Sequence, residues 1–391
     1  MKSTRALTCS LSFVAVGLVP LASGCSGGNA AGPTGSGGGT TSASSATSTA
    51  GSGGAGGAAP DPYVTAVKAT PWVKLANGPV VTGGAKQDDA FFLDADTGFV
   101  ASGPSSSILA TKDGGDTWKT VFSHPGTYFR SLLFTDAMHG FAGNIGAGLA
   151  PSITDATLLY QTSNGGGTWA PVTNITGTAA QGLCNFAPVD ATHLIGVGRA
   201  NGPASMLRSS DGGASWVATD LSQYFSMIID AHFTSPTAGL VAGMDTAAAH
   251  CTILRTTDGA TFAPVFTSKT VGSLCWKLHF PSPQRGYAAV QDTAGGPGTF
   301  AKTTDGGQTW QELPLPGAKA YPAIGVGFIT DDIGWMAAED PKLPVYRTFD
   351  GGATWEVDPA LESPINRFRF IDAHTAYAVG AAVWKLVIPG G

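Results

Sequence analysis

One short pattern recurs six times in this 391-residue chain and dictates what it can fold into. The copies are Thr111–Trp118, Thr162–Trp169, Ser209–Trp216, Thr256–Phe262, Thr303–Trp310 and Thr348–Trp355. Each reads Ser/Thr-x-Asp-Gly-Gly-x-Ser/Thr-Trp; the second has Asn164 for the Asp, and the fourth has lost a glycine and ends in Phe262. Their starts lie 51, 47, 47, 47 and 45 residues apart. A period near 47 is the length of four short strands, one blade of a β-propeller. The pattern has a structural chemistry. The carboxylates of Asp113, Asp211, Asp258, Asp305 and Asp350, and the amide of Asn164, can accept backbone N–H bonds within their own turn. The glycines supply positive φ, and the Trp opens the next strand as a large apolar plate between layers.

A second motif precedes each turn: aromatic-x-Asp/Ser/Thr-x-x-x-Gly, followed by alternating small and apolar residues. Copies begin at Phe92, Phe134, Pro188, Phe233, Phe280, Phe328 and Phe370; the third is degenerate, and the last has Ala376 for the Gly. There are seven of these and six of the turns. The surplus copy ends the chain, whereas Thr70–Leu75 resembles a strand that has lost its turn, with Trp72 in the place of Trp118. The expected fold is therefore all-β: a seven-bladed β-propeller whose last blade is closed by an N-terminal strand. Such closure removes the open sheet edge that invites aggregation.

The turn is the Asp-box, or BNR, repeat. Together with the Phe-x-Asp-x-x-x-Gly strands it makes residues 61–391 resemble the photosystem II stability and assembly factor family, a seven-bladed Asp-box propeller. That resemblance implies a non-catalytic assembly factor for a membrane protein complex. Sialidases, xyloglucanases and sortilin-type receptors use the same turn, so the motif marks the fold more than the function.

The first sixty residues have a different character. Lys2 and Arg5 precede an apolar run from Ala6 to Leu21, which reads as a secretory signal rather than a membrane span. The segment Leu21-Ala22-Ser23-Gly24-Cys25 resembles the lipobox of bacterial lipoproteins, which implies lipidation of Cys25. Residues 26–59 are almost wholly Gly, Ser, Ala and Thr and cannot bury enough apolar surface to fold; as a coil they span roughly 30–35 Å. The expected organisation is a leader at 1–24, a lipidated cysteine and linker at 25–60, and the propeller at 61–391. This places the protein in a bacterial cell envelope, periplasmic or surface-exposed, touching the membrane through its lipid anchor only.

Composition narrows the function. Charged residues are 12% and the formal charge is −6. Scattered cations in an acidic chain make a poor nucleic-acid binder. The cysteines and histidines lack metal-site spacing, and no cofactor motif stands in a credible context, so neither metal nor cofactor is expected. Three cysteines lie in the propeller. Cys251 and Cys275 are placed to pair between neighbouring blades, and a Cys184–Cys275 bridge is the competing arrangement.

Counting back three places from each Phe motif gives Asp89, Ser131, Asn185, Asp230, Lys277, Gly325 and Arg367, a ring at the starts of the innermost strands. Arg130, Arg369, Tyr128 and Trp276 stand nearby. Polar groups rimmed by aromatics suit a binding mouth. The candidate binding residues are thus Arg130, Lys277, Arg367, Arg369, Asp89, Asp230, Tyr128 and Trp276, on the face opposite the Asp-boxes. A local cationic mouth on an acidic protein would select an acidic segment of a protein partner. The alternative is a cell-surface propeller that binds carbohydrate or hydrolyses glycosides in the manner of a sialidase or xyloglucanase: hydrolysis needs two carboxylates flanking the scissile bond, and Asp89 and Asp230 could face each other across the channel. No catalytic residue is assigned, and a monomer is expected.

Overall fold

The computed structural model describes residues 61–318, 321–342 and 344–390. The leader, Cys25 and the linker lie outside the described residues. Seven sheets, antiparallel apart from one edge strand, are arranged in sequence order. Blade 1 runs from the inner strand Asp89–Phe92 outward to Lys119–Ser123, and the inner strands of blades 2 to 7 are Phe129–Phe134, Asn185–Phe186, Phe225–Phe233, Ser273–His279, Ala323–Phe328 and Ile365–Phe370. Each inner strand packs on the next, and that of blade 7 packs on that of blade 1, so the ring is closed. Val73–Lys74 pairs antiparallel with Val383–Val387 as the fourth strand of blade 7, which joins the two ends of the chain in one sheet. Blade 3 has a fifth strand, Ile175–Gly177, lying parallel to Trp216–Asp220 at its outer edge.

The Phe-to-Gly spacing has a steric cause. Phe92 pairs with Gly98 across the first hairpin, and a Cβ on Gly98 would lie 2.2 Å from the Phe92 ring. The same holds for Gly140 under Phe134, Gly239 under Phe233, Gly286 under Phe280 and Gly334 under Phe328, all within 2.6 Å. The ring lies flat on its partner strand because that partner has no side chain. The edge of the ring then meets the box Trp: Phe92–Trp118, Phe134–Trp169, Phe280–Trp310 and Phe328–Trp355 are T-shaped at 5.8–6.4 Å, a favoured aromatic geometry. Both sequence motifs therefore describe one packing unit. Trp216 is fully buried, whereas Trp118, Trp169, Trp310 and Trp355 are half-buried, because their outer edges face the groove between blades.

Within the box, Asp113 Oδ1 accepts the Thr117 N–H at 2.9 Å and the Thr111 hydroxyl at 2.7 Å, while Thr111 Oγ1 accepts the Gly115 N–H at 2.9 Å. Gly114 and Gly115 have φ of 68° and 98°, which only glycine adopts freely. Two cations that stand before a box, and Lys385 at the matching position of the box-less last blade, also have a role: Lys302 Nζ donates to Gly351 O at 2.7 Å, Lys385 Nζ donates to Gly114 O at 3.1 Å, and Arg208 donates to Gly259 O. Each reaches the box of the following blade, so these cations lock neighbouring blades together.

Candidate functional site

The inner strands set the geometry of the central channel, and they are bulged. In five of them one residue is skipped by the hairpin ladder: Arg130, Ile229, Trp276, Ile324 and Asn366. In blades 1 and 3 the N–H groups of Asp88 and Cys184 bond Ala101 O and Val197 O, the partners of Asp89 and Asn185, so the same two-against-one arrangement holds. A bulge re-aims side chains. Here it turns two consecutive residues of every blade toward the channel. The result is two stacked layers: Asp88, Arg130, Cys184, Ile229, Trp276, Ile324 and Asn366 above, and the ring counted from sequence below. The sequence reading identified the lower layer and, from the upper one, Arg130 and Trp276. It missed Asp88, Cys184 and Asn366.

Bonds across the channel join the members of each layer. Arg130 Nη1 is 2.6 Å from Asp88 Oδ1. Asn366 Nδ2 donates to Asp88 O at 2.7 Å and its Oδ1 accepts from Trp276 Nε1 at 2.9 Å. Arg367 bridges two carboxylates, with Nε 3.2 Å from Asp89 Oδ1 and Nη1 3.5 Å from Asp230 Oδ2, and its Nη2 donates to Asn185 Oδ1 at 2.7 Å. Arg369 Nη2 donates to Asp89 Oδ1 at 2.7 Å. The two ring carboxylates also hold backbone. Asp89 Oδ2 accepts the Leu132 N–H of blade 2, and Asp230 Oδ2 accepts the Leu278 N–H of blade 5, both at 3.0 Å. Each therefore staples its blade to the next.

Electrostatics follow from burial. Burial opposes ionisation of Asp89, but Arg369 and Arg367 outweigh it and hold its carboxyl below the usual range. Asp88 has a weaker set of partners, and burial raises its pKa. Burial, reinforced by Arg367 and Arg130, pushes the Lys277 ammonium well below its ordinary range. Lys86 is lowered to about 8, first by burial and then by Arg130.

The open cationic mouth expected from sequence is not what these residues form. Arg130, Lys277, Arg367, Asp89, Asp230 and Trp276 are each 7% exposed or less. The reason is the bulge, which directs them inward, where arginines and carboxylates neutralise one another. Tyr128 is half-buried beside Asp88. The Arg369 side chain is 31% exposed, one layer nearer the box face. The upper rim is instead rich in carboxylates, with Asp220, Asp245 and Asp292 ending strands at that face and Asp155 and Glu339 on its connections. Cys251 and Cys275 form a disulfide with a Cα separation of 4.6 Å, joining the third strand of blade 4 to the inner strand of blade 5. Cys184 is a buried free thiol. Among the described residues, no group of three or more His, Cys, Asp or Glu is placed to hold a metal ion.

The comparisons agree on the fold. No protein-family model matches the chain, and no curated protein matches it significantly. Solved structures do. The protein is similar to YCF48 bound to D1 peptide, with a TM-score of 0.59 and 17% identity over 82% of this chain and 97% of that one. It is similar to YCF48 from Cyanidioschyzon merolae, with a TM-score of 0.58 and 16% identity over 81% and 99%. It is also similar to a GH74 xyloglucanase from Xanthomonas campestris, with a TM-score of 0.59 and 14% identity over 81% of this chain but only 53% of the enzyme. At such identities the likeness is one of fold.

Proposed function

We propose that this protein is a non-catalytic scaffold outside the cytoplasm that holds a segment of a protein partner on its upper face, the face opposite the Asp-boxes. The observation that carries the reading is the position of the chain entry. The helix Pro62–Ala69 lies on the lower face, with Tyr63 Oη bonded to Ala373 O and Lys68 Nζ 4.6 Å from the Phe349 ring. Among the described residues, Asp61 and this helix therefore lie at the lower face, and neither covers the upper one. Three exposed large apolar side chains, Val80, Val271 and Tyr321, stand on connections of that upper face. The structural likeness to YCF48 bound to D1 peptide supports a protein ligand. The disulfide supports an oxidising compartment, in keeping with a lipoprotein anchored through Cys25.

The channel chemistry weighs against the glycosidase reading. A glycosidase needs space for a sugar between its two carboxyl groups. Here the Arg367 guanidinium stands between Asp89 and Asp230 and forms an ion pair with each. The same pairing alters the partner expected from sequence. The inner arginines are already paired with carboxylates, Lys277 is buried beneath them and the rim is acidic, so an acidic segment gains no advantage; an apolar segment with flanking cations fits this rim better.

The test compares two surface variants by cross-linked pull-down from envelope extract, after both are shown to melt like wild type. Val80→Asp/Val271→Asp/Tyr321→Asp alters the upper face, and Met138→Asp alters the lower. Loss of the same partner band in the first and retention in the second supports the reading. The reverse pattern assigns the binding face to the boxes.

A further inference from the structure

Among the described residues, the channel has more positive groups than negative ones, and its lysines, Lys86 and Lys277, form no ion pair with a carboxylate. The buried carboxylates of the channel are Asp88, Asp89 and Asp230. Each is bonded to arginine: Asp88 to Arg130, Asp89 to Arg367 and Arg369, and Asp230 to Arg367. Three carboxylates thus answer three arginines. Lys277 is left over, 1% exposed, with its Nζ lacking any hydrogen-bond partner. The opposing wall shows the same deficit. Arg130 Nη2 and Ser131 Oγ, on adjacent bulge positions of blade 2, are buried and unpartnered as well.

The indole of Trp276 marks where the cations converge. Lys86 Nζ lies 4.5 Å, the Arg130 guanidinium 5.0 Å and Lys277 Nζ 5.7 Å from its ring centroid. Three cations around one indole use its π-face as a partial substitute for negative charge. Water in the channel can hydrogen-bond the free atoms, including the acceptors Asp88 Oδ2 and Gln87 Oε1, which also lack partners. Water brings no charge, however, and a buried ammonium needs a counter-charge or must give up its proton.

We propose that the channel holds one small monovalent anion of the halide class, bound by Lys277 Nζ, Arg130 Nη2 and Ser131 Oγ. The anion supplies the missing charge and lets Lys277 stay protonated. Without it, Arg367 and Arg130 repel that proton while Asp230 and Asp89, already committed to arginines, attract it too weakly. Binding is therefore proton-linked. The anion enters with a proton on Lys277, and its affinity falls as pH rises past the pKa of the free amine. Lys86, Asp88 and Cys184 border the same space, and of these Lys86 loses its charge in the same direction, which steepens the pH dependence.

The experiment melts the full-length protein at fixed ionic strength in chloride, bromide or the bulky organic anion gluconate, at pH 6 and pH 9. The expected result is a Tm about 2–5 °C higher in either halide at pH 6, a gap that closes by pH 9, and no halide dependence in Lys277→Met. Crystals of the wild type grown in bromide provide the readout that needs no variant: an anomalous peak among Lys277, Arg130 and Ser131. Equal melting in all three salts at pH 6, or bromide peaks confined to the outer surface, overturns the proposal and leaves the channel filled by water alone.

Discussion

Removing Arg367 tests the reading of the channel as a closed ionic hub. Its side chain is 7% exposed and carries the contacts between Asp89, Asp230 and Asn185, residues of three different blades. Arg367→Met keeps the length and much of the apolar stem but leaves two buried carboxylates short of a cation. Breaking a buried pair from one side costs about 3–5 kcal/mol. The lower end applies here, because Asp89 keeps Arg369 and Asp230 keeps the Asn185 amide and the Leu278 N–H. With an unfolding entropy of about 2.1 cal/mol/K per residue over roughly 330 residues, 3–5 kcal/mol lowers Tm by about 4–7 °C. The assay is calorimetry on wild type, Arg367→Met, Asp230→Asn and the double variant. The double variant should melt higher than the sum of the single losses predicts, since a neutral amide at position 230 no longer needs the cation. A loss below about 1 °C for Arg367→Met, or strict additivity, would refute the hub, because water would then be solvating these carboxylates unaided.

The other predictions concern the supports around that hub. Trp310 is half-buried, so Trp310→Ala should cost about 2 kcal/mol, roughly half the value for a fully buried Trp; partner binding should be unchanged in a pull-down at a temperature well below the lowered Tm, and lost binding would contradict the structural role. Cys251→Ser/Cys275→Ser opens a bridge with a sequence separation of 24, a loss of about 3 kcal/mol on the chain-entropy account; a melting curve unchanged by the substitution would show the bridge to be idle. The hydroxyls of Thr117, Ser215 and Thr309, with the N–H groups of the same residues, hold Asp113, Asp211 and Asp305 at about 2. Because the folded pKa is depressed, their contribution is present above the unfolded value near 4 and is lost as pH falls through about 2. Melting followed from pH 5 to pH 2 should show the box contribution failing only at the acid end; complete loss by pH 4 would count against these bonds.

Much of this architecture is visible in the sequence because its parts repeat. The Asp, its glycines and the Trp recur as one unit, and the Phe and Gly six residues apart reappear because one ring must lie on one bare strand position. The end of the chain was equally readable, since a seventh Phe motif without a box required a strand from elsewhere, and Val73–Lys74 supplies it. The channel was read only in part. Alternation along a strand sends neighbouring residues to opposite faces, so counting three places back from each Phe reaches Asp89 and Arg367 and passes over Asp88 and Asn366. A bulge cancels that rule. The signal for it was present: polar pairs such as Asp88-Asp89, Arg130-Ser131 and Asn366-Arg367 in otherwise apolar strands make little sense unless both members face one way. The pairing of charges across the ring had no such signal, because it joins residues up to 280 positions apart.

The central claim is that the upper face is the working face, and site-specific photo-cross-linking tests it most directly. A photoreactive residue is placed at Tyr321 on the upper face or at Met138 on the lower face, both exposed, and the full-length protein is irradiated in its own cell envelope. The account predicts a discrete adduct to one protein from position 321 and none from position 138. An adduct from position 138 alone would contradict it and place the partner against the Asp-boxes.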